Sequence, residues 1–199
     1  MVKASSSRIG ILGGSFNPVH LGHCAVAQLA GEHFSFDIVY FIPAFIQPHK
    51  KQCIAVSADH RLAMLKKAVE GNSSFRIWDG EIRRGGISFT SDTLLTLRKM
   101  HPEAGLYFII GSDNLSEILT WHRYKKILTL VTLCVAHRPG YAIRIPQELS
   151  QATVIPFPSP EWGISSTKIR TYLAQGKSCR YMLSEEVTEY IRRNNLYRE

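Results

Sequence analysis

The chain has 199 residues, of which 45% are hydrophobic and 20% are charged, a balance that is typical of globular proteins and argues against a disordered or fibrous one. The net charge of +8 indicates an anionic ligand, either nucleic acid or the phosphates of a nucleotide. The four cysteines form no CxxC pair, which argues against a disulfide framework or a structural zinc site and favours a reducing cytoplasm. No apolar stretch reaches the ~18 residues that a membrane-spanning helix needs, so we expect no membrane partner.

Short apolar runs alternate with amphipathic segments along nearly the whole chain. Apolar runs bounded by glycine or proline predict buried strands at residues 8–12, 37–42, 106–110, 130–136 and 153–157, with a further extended segment at 75–82. Apolar residues three or four positions apart predict helices at residues 21–34, 58–69, 92–100, 115–128, 167–174 and 185–193. Ser91 and Ser184 are the expected N-caps of the third and last of these helices.

This alternation of strands and helices predicts an α/β fold. We expect a Rossmann-like, doubly wound and mostly parallel sheet with a small C-terminal helical extension. The chain should form one domain over residues 1–199, with the helical part at about 160–199. Ligands of such sheets bind beyond the carboxyl ends of the strands, so the segments that follow the strands should carry the functional site.

The first predicted strand leads into the segment GGSFNPVHLGH at residues 13–23. Gly13 and Gly14 permit a sharp turn and a close approach between backbone and ligand. His20 and His23 are three residues apart at the start of a helix, so both rings lie on one face, where free N–H groups and the helix dipole favour phosphate. A metal site is the alternative, but no Asp or Glu lies nearby to complete it, and the GxGxxG dinucleotide motif is absent.

A basic loop follows the second predicted strand. Residues 43–51 are framed by two prolines and end in a cluster that includes His49 and Lys50. This loop could clamp a phosphate, and it could equally be a solvated basic turn.

A second cluster of possible phosphate ligands opens a helix near the C-terminus. Ser165, Ser166 and Thr167 offer hydroxyls at the helix start, and Arg170 follows one turn later with a guanidinium that can bind phosphate through two donors. An ordinary Ser/Thr cap on an amphipathic helix would give the same pattern.

Taken together, these motifs resemble those of the nucleotidylyltransferase superfamily. Residues 14–23 resemble its HxGH motif, with the two histidines at 20 and 23, and Ser165, Thr167 and Arg170 match its SxTxxR motif. Other segments are similar to bacterial-type nicotinate-mononucleotide adenylyltransferases: the loop at 42–50, RLAML at 61–65, ISFTSDTL at 87–94, GSD at 111–113, WHR at 121–123 and residues 191–197. The chain departs from the family pattern at Ser15 and Asn17, where many members have Thr and Asp, and at residues 44–45.

The resemblance implies transfer of the adenylyl group of ATP to nicotinate mononucleotide, which gives nicotinate adenine dinucleotide (deamido-NAD) and pyrophosphate in NAD biosynthesis. We expect direct in-line transfer, in which His20 and His23 hold the α-phosphate while Lys50 and Arg170 neutralise the leaving pyrophosphate. Mg²⁺ should arrive with ATP and need no protein cage.

The resemblance also implies which residues contact the two substrates. Trp121 could stack on the nicotinate ring or be a partly buried core residue, backbone amides near Phe89 and Thr90 would meet the nicotinate carboxylate, and Asp113 would accept from ribose hydroxyls. The full set expected to bind substrate is Gly13, Gly14, Ser15, Phe16, His49, Phe89, Thr90, Gly111, Asp113, Trp121, Ser165, Ser166 and Thr167.

Three other functions remain as alternatives. The chain could be an adenylyl- or cytidylyltransferase with another acceptor, such as phosphopantetheine or a polyol phosphate. It could also be a sensor that binds nucleotides without turnover. A nucleic-acid-binding protein is the third, but the Lys and Arg residues are spread out and no recognition motif is found, so we expect no nucleic acid partner.

Overall fold

The structure, a computed structural model, describes residues 6–48, 56–137, 143–160 and 163–198. Six strands and eight α-helices alternate along these residues. The strands are β1 (Arg8–Gly14), β2 (Ile38–Pro43), β3 (Phe75–Ile77), β4 (Gly105–Gly111), β5 (Thr132–Ala136) and β6 (Val154–Phe157). The helices are α1 (Leu21–Phe34), α2 (Ala58–Val69), α3 (Gly80–Arg84), α4 (Thr90–Met100), α5 (Ser112–Glu117), α6 (Tyr124–Leu130), α7 (Ser166–Ala174) and α8 (Glu185–Arg193). Single 3-10 turns lie at Ile118–Thr120 and Gln147–Leu149.

The six strands form one sheet in the order β3-β2-β1-β4-β5-β6. The chain runs outward from β1 through β2 to β3, and then crosses to the other side of β1 to add β4, β5 and β6. The pairs β1–β4, β4–β5 and β5–β6 are parallel, with Ile9 opposite Leu106, Phe108 opposite Leu133 and Leu133 opposite Val154. This doubly wound topology confirms the predicted α/β, Rossmann-like fold class.

The central strands are apolar because helices cover both faces of a parallel sheet, so consecutive side chains are buried on both sides. In β5, four successive residues from Leu133 to Ala136 are at most 4% exposed. Within the described residues, no helix is long and apolar enough to cross a membrane.

The chain divides into two compact units. The first unit is Met1–Leu12, Ala27–Tyr40 and Phe89–Glu161, and the second is Gly13–Val26, Phe41–Ser88 and Trp162–Glu199. Each unit contains several of the residues that the sequence singles out as ligands. The organisation of residues 1–199 as a single domain stays a prediction.

In the second unit, the C-terminal helix α8 packs against α2. Helix α8 buries Val187 and Ile191, and the Ser184 side chain caps its first turn, as predicted, by accepting from the Val187 N–H at 3.3 Å. The Tyr190 hydroxyl and His60 Nδ1 share a hydrogen bond of 2.9 Å between the two helices. The C-terminal extension is therefore anchored on a helix of the same unit.

Two predicted elements in the first half of the chain have different boundaries in the structure. The extended segment expected at 75–82 ends at Ile77, because helix α3 begins at Gly80. Ser91 is not the N-cap of α4, since the helix already begins at Thr90 and Phe89 occupies the cap position without a side-chain cap bond.

The helix predicted at 115–128 is wrong as a single element. Helix α5 ends at Glu117, a 3-10 turn follows, and α6 begins only at Tyr124. Arg123 has φ 54° and ψ 41°, a left-handed conformation that an α-helix cannot contain. The break places residues 121–123 in a turn between the 3-10 turn and α6.

Candidate functional site

The segment after β1 carries the first group of predicted ligands, and it lies in the second unit. The Ala44 N–H donates to the Gly14 carbonyl at 2.9 Å, which ties the end of β1 to the end of β2. A Cβ on Gly14 would lie 3.3 Å from the Phe16 ring. The group that approaches Gly14 closely is therefore the Phe16 side chain of the protein itself. Phe16 is 1% exposed, and its ring meets the His23 ring edge-on at 5.0 Å, so Phe16 supports His23 from the core.

His20 and His23 form a stacked pair at the start of α1. Their ring centroids are 3.6 Å apart, with an angle of 25° between the rings. The backbone N–H of His20 donates to Nδ1 of His23 at 3.2 Å. Because Nδ1 accepts this bond, the neutral His23 ring carries its proton on Nε2, which makes Nε2 the donor of the ring.

The backbone N–H groups at this helix start are used by the protein itself. The Leu21 N–H donates to the Met182 carbonyl at 2.9 Å, and the N–H groups of His23 and Cys24 donate to the His20 carbonyl at 2.9 and 3.4 Å. The sequence predicts free N–H groups here, and that prediction is wrong for these residues. These three N–H groups would therefore not bind an anion here, whereas the imidazole side chains could.

Helix α7 is fastened to the turn that precedes the two histidines. The Ser166 hydroxyl donates to the Pro18 carbonyl at 2.9 Å, and Nη1 of Arg170 donates to the Asn17 carbonyl at 2.9 Å. The second guanidinium nitrogen of Arg170 donates to the Thr167 hydroxyl at 3.3 Å. Ser165 is the N-cap, with its hydroxyl oxygen accepting from the Lys168 N–H at 3.2 Å. The structure therefore brings the SxTxxR residues to the loop that leads into His20.

These bonds distinguish the three hydroxyls. The Ser166 proton is given to Pro18, so Ser166 holds the two segments together. In the bonds formed within the described part of the chain, Ser165 and Thr167 are acceptors, so neither hydroxyl proton is used there.

Arg61, the first residue of the RLAML segment, is a further residue of this site that was not among the predicted ligands. Its side chain on α2 is 1% exposed, and its guanidinium donates to the carbonyls of Ser15, Ala44 and Phe45 at 2.7, 2.6 and 3.1 Å. Burial lowers the pKa of Arg61, and the nearby Tyr197 opposes that shift. Arg61 thus holds the loop after β1 against the loop after β2. In the sequence, Arg61 lies three and four residues before the apolar residues Met64 and Leu65, a helical spacing that places all three on the buried face of α2.

The remaining predicted ligands lie in the first unit. Phe89, at the N-cap position of α4, has its ring 4.4 Å from that of His122, and Arg123 pairs with Asp92 at 3.8 Å. The Trp121 ring meets Phe108 of β4 edge-on at 6.1 Å while its side chain stays partly exposed. The turn at 121–123 therefore lies against the start of α4, and His122 joins the group as a residue that the sequence analysis did not select.

Gly111 and Asp113 occupy the carboxyl end of β4. Gly111 is the last residue of the strand, and Asp113 lies in the first turn of α5, both half-buried. The Ser116 hydroxyl donates to the Asp113 carbonyl at 2.6 Å and so closes this first turn. This is the strand end at which ligands of doubly wound sheets bind.

Two predicted ligands, His49 and Lys50, lie outside the described residues. Across residues 6–48, 56–137, 143–160 and 163–198, no group of three or more His, Cys, Asp or Glu side chains is placed to hold a metal ion. The described chemistry is therefore that of hydrogen-bond donors and cations: two imidazoles, a guanidinium and two hydroxyls in the second unit. Such a set can bind and neutralise phosphate.

Known proteins resemble this chain over almost its whole length. The sequence model described as cytidylyltransferase-like matches residues 11–172. The chain is 38% identical over 190 residues to a Bacillus cytotoxicus protein named "Probable nicotinate-nucleotide adenylyltransferase", covering 96% of this chain and 98% of the relative. It is 40% identical over 204 residues to a protein of the same name from Desulfitobacterium hafniense strain Y51, covering 99% of each. The Plasmodium falciparum nicotinic acid mononucleotide adenylyltransferase complexed with NaAD shares the fold, with a TM-score of 0.79 at 20% identity over 96% of this chain and 97% of that one.

Proposed function

The chain belongs to the cytidylyltransferase-like family and, within it, to the nicotinate-nucleotide adenylyltransferases; from this we propose that it transfers the adenylyl group of ATP to nicotinate mononucleotide. The products are nicotinate adenine dinucleotide and pyrophosphate, and the reaction serves NAD biosynthesis. The single observation that carries the proposal is the stacked pair of His20 and His23, 3.6 Å apart, beside a turn into which Arg170 donates.

The reaction we propose is an in-line displacement at the α-phosphorus of ATP. An oxygen of the 5′-phosphate of nicotinate mononucleotide forms the new P–O bond, and the bond to the bridging oxygen of pyrophosphate breaks, so that pyrophosphate leaves with the electron pair. No covalent intermediate with the protein is needed. The protein contributes orientation and neutralisation of the charge that spreads over the transferring phosphate.

His23 is the first choice for contact with the transferring phosphate. Its Nδ1 accepts from the His20 backbone, so Nε2 presents a proton in a fixed direction. The edge-on Phe16 ring and the stacked His20 ring restrict rotation of the imidazole. A donor held this way needs little reorganisation during the reaction, and removing one such donor costs about 100- to 1,000-fold in rate.

Arg170, Ser165 and Thr167 would bind the leaving pyrophosphate. Arg170 is half-buried and already directed toward the turn before His20 by its bond to the Asn17 carbonyl. The hydroxyl protons of Ser165 and Thr167 are the matching neutral donors. Lys50 would add a second cation, and His49 a further donor, from the loop after β2. Backbone groups of Gly13, Gly14, Ser15 and Phe16 would face the nucleotide.

A further set of residues would contact the nicotinate and the ribose. We propose that Trp121 stacks on the pyridine ring, that the backbone at Phe89 and Thr90 receives its carboxylate, and that Asp113 accepts from the adenosine ribose next to Gly111. Stacking on the pyridine ring would not distinguish nicotinate from nicotinamide mononucleotide, whereas the contact with the carboxylate would.

Mg²⁺ would arrive bound to ATP and would supply positive charge to its phosphates, since this ion commonly binds through substrate phosphates. A cytoplasmic location is also proposed, supported by the free thiols of Cys24, Cys134 and Cys179.

An acceptor panel tests the proposal. The purified protein would be incubated with ATP, Mg²⁺ and one of nicotinate mononucleotide, nicotinamide mononucleotide or phosphopantetheine, and pyrophosphate release would be measured. We expect release with nicotinate mononucleotide. Release with phosphopantetheine alone would assign another acceptor, and ATP binding without release in any mixture would indicate a nucleotide sensor.

A further inference from the structure

The C-terminal end of the chain returns to the turn that precedes the two histidines. The Tyr197 hydroxyl donates to Oδ1 of Asn17 at 2.7 Å and so joins residues 180 positions apart in the sequence. Asn17 is 3% exposed, so its amide oxygen has little access to water and depends on a donor from the protein. Tyr197 is that donor.

A tight turn at the end of α8 directs Tyr197 to this position. The Leu196 N–H donates to the Ile191 carbonyl at 3.1 Å, and the Asn195 N–H donates to the Arg192 carbonyl at 3.3 Å. With Asn195 at φ 48°, these two bonds form a Schellman motif, which ends the helix and reverses the chain. Tyr197 has φ 62°, a costly conformation for a tyrosine that persists only where other contacts hold it.

The turn at Asn17 and Pro18 is therefore held at three points. Tyr197 binds the Asn17 side chain, Arg170 binds the Asn17 carbonyl, and Ser166 binds the Pro18 carbonyl. His20 follows two residues later. Any movement of the turn would displace the first imidazole and the ring stacked on it.

We propose that Tyr197 is a positioning residue for adenylyl transfer: it fixes the turn at Asn17 and Pro18, and thereby the two histidines that follow. This inference rests on the proposed function. Burial raises the pKa of the Tyr197 phenol above its usual value, with smaller opposing effects of Arg170 and Arg61, so the hydroxyl stays protonated and remains a donor at neutral pH. Because Tyr197 acts through the geometry of the histidines, its loss affects turnover more than substrate binding.

Tyr197→Phe removes only the hydroxyl, and Tyr190→Phe is its matched control. Tyr190 also presents a hydroxyl from the C-terminal helix, but that hydroxyl is bonded to His60 on α2. We expect Tyr197→Phe to lower kcat about tenfold, the scale of one hydrogen bond to a buried acceptor, while KM for both substrates stays within about twofold. Tyr190→Phe should leave kcat within about twofold. Equal kcat in the two variants, or a loss expressed only in KM, would overturn the proposal.

Hydrogen exchange measured by mass spectrometry gives a readout that does not depend on activity. Tyr197→Phe should accelerate amide exchange in the segment 15–23, and Tyr190→Phe should not. Unchanged exchange in this segment would refute the positioning role even if the wild-type protein proved inactive with nicotinate mononucleotide. Accelerated exchange in a protein without that activity would support the role of Tyr197 and refute the proposed function.

A double-mutant cycle identifies Asn17 as the connection. If Tyr197 acts through Asn17, then Tyr197→Phe should change kcat by less than about twofold in an Asn17→Ala background, because the bond is already lost. The same tenfold loss in both backgrounds would contradict the proposal.

Discussion

Replacing Gly22 with alanine should stabilise helix α1 and at the same time slow the reaction. A Cβ at this position would lie 3.1 Å from Nδ1 of His20 and 3.2 Å from its Cε1, whereas ordinary contacts of a Cβ begin at 3.4 Å. The His20 ring must therefore move by a few tenths of an ångström. Its stacking on His23 at 3.6 Å transmits that movement to the second ring.

The two effects have different sizes and opposite signs. Misplacing a catalytic group by about 1 Å can cost about 100-fold in rate, so a shift of a few tenths should lower kcat about tenfold. Replacing glycine by alanine inside a helix adds about 0.5–1 kcal/mol to the free energy of unfolding, and Gly22 lies in the first turn, where the lower value applies.

Gly31→Ala provides the matched control on the same helix. Its Cβ would meet only the Val39 side chain, at 3.9 Å, which is ordinary contact. This variant should gain stability in urea unfolding with no change in steady-state kcat. Wild-type kcat in Gly22→Ala would refute the argument that this glycine makes room for the His20 ring. A Gly22→Ala variant that unfolds more easily than the wild type would contradict the predicted gain in helix stability.

Three further predictions concern the folded chain. Arg61→Met should lower the free energy of unfolding by about 3 kcal/mol in urea titrations, because it removes three hydrogen bonds of a buried guanidinium. The loss is partly offset because the charge of Arg61 no longer has to be buried. The control variant Arg76→Met removes two hydrogen bonds of an exposed guanidinium and should cost about 0.5 kcal/mol or less. Equal losses would contradict it. Burial raises the pKa of the Cys24 thiol to about 11 and that of Cys134 to about 12, so iodoacetamide at pH 8 should label both at least about 100-fold more slowly than a free thiol, as followed by peptide mapping. Hydrogen bonds from the two arginines that follow it on α8 lower the pKa of Glu189 to about 2. Its stabilising effect is therefore fully present above the usual value of 4.5 and is lost progressively as the pH falls from there through about 2. A carboxyl resonance that titrates near 4.5 in an NMR titration would be inconsistent with these ion pairs.

The helices that were predicted correctly are determined by residues within the helix or next to it. Helices α1, α2 and α8 begin and end at the predicted residues, because apolar spacing and, for α8, the cap at Ser184 lie within the helix or next to it. The doubly wound sheet followed from the alternation of apolar strands and amphipathic helices. The break at Arg123 was missed because the apolar residues between Leu115 and Leu128 keep a helical spacing, although the backbone at Arg123 is not helical.

The two candidate histidines were visible in the sequence, but the residues that hold them in place were not. The HxGH spacing predicted that His20 and His23 share a face, and the structure stacks their rings. The carbonyls that bind Arg61 belong to residues 15, 44 and 45, and Tyr197 reaches across 180 positions to Asn17. Local periodicity contains no information about such distant pairs, so only the folded chain reveals them.

Formation of nicotinate adenine dinucleotide by wild-type and His23→Ala proteins tests the central claim most directly. The product would be identified by mass spectrometry after incubation with ATP, Mg²⁺ and nicotinate mononucleotide, with His33→Ala, at the exposed far end of the same helix, as the control. We expect the wild type and His33→Ala to form the dinucleotide, and His23→Ala to form it about 100- to 1,000-fold more slowly. No dinucleotide from the wild type, or equal rates in all three proteins, would contradict it.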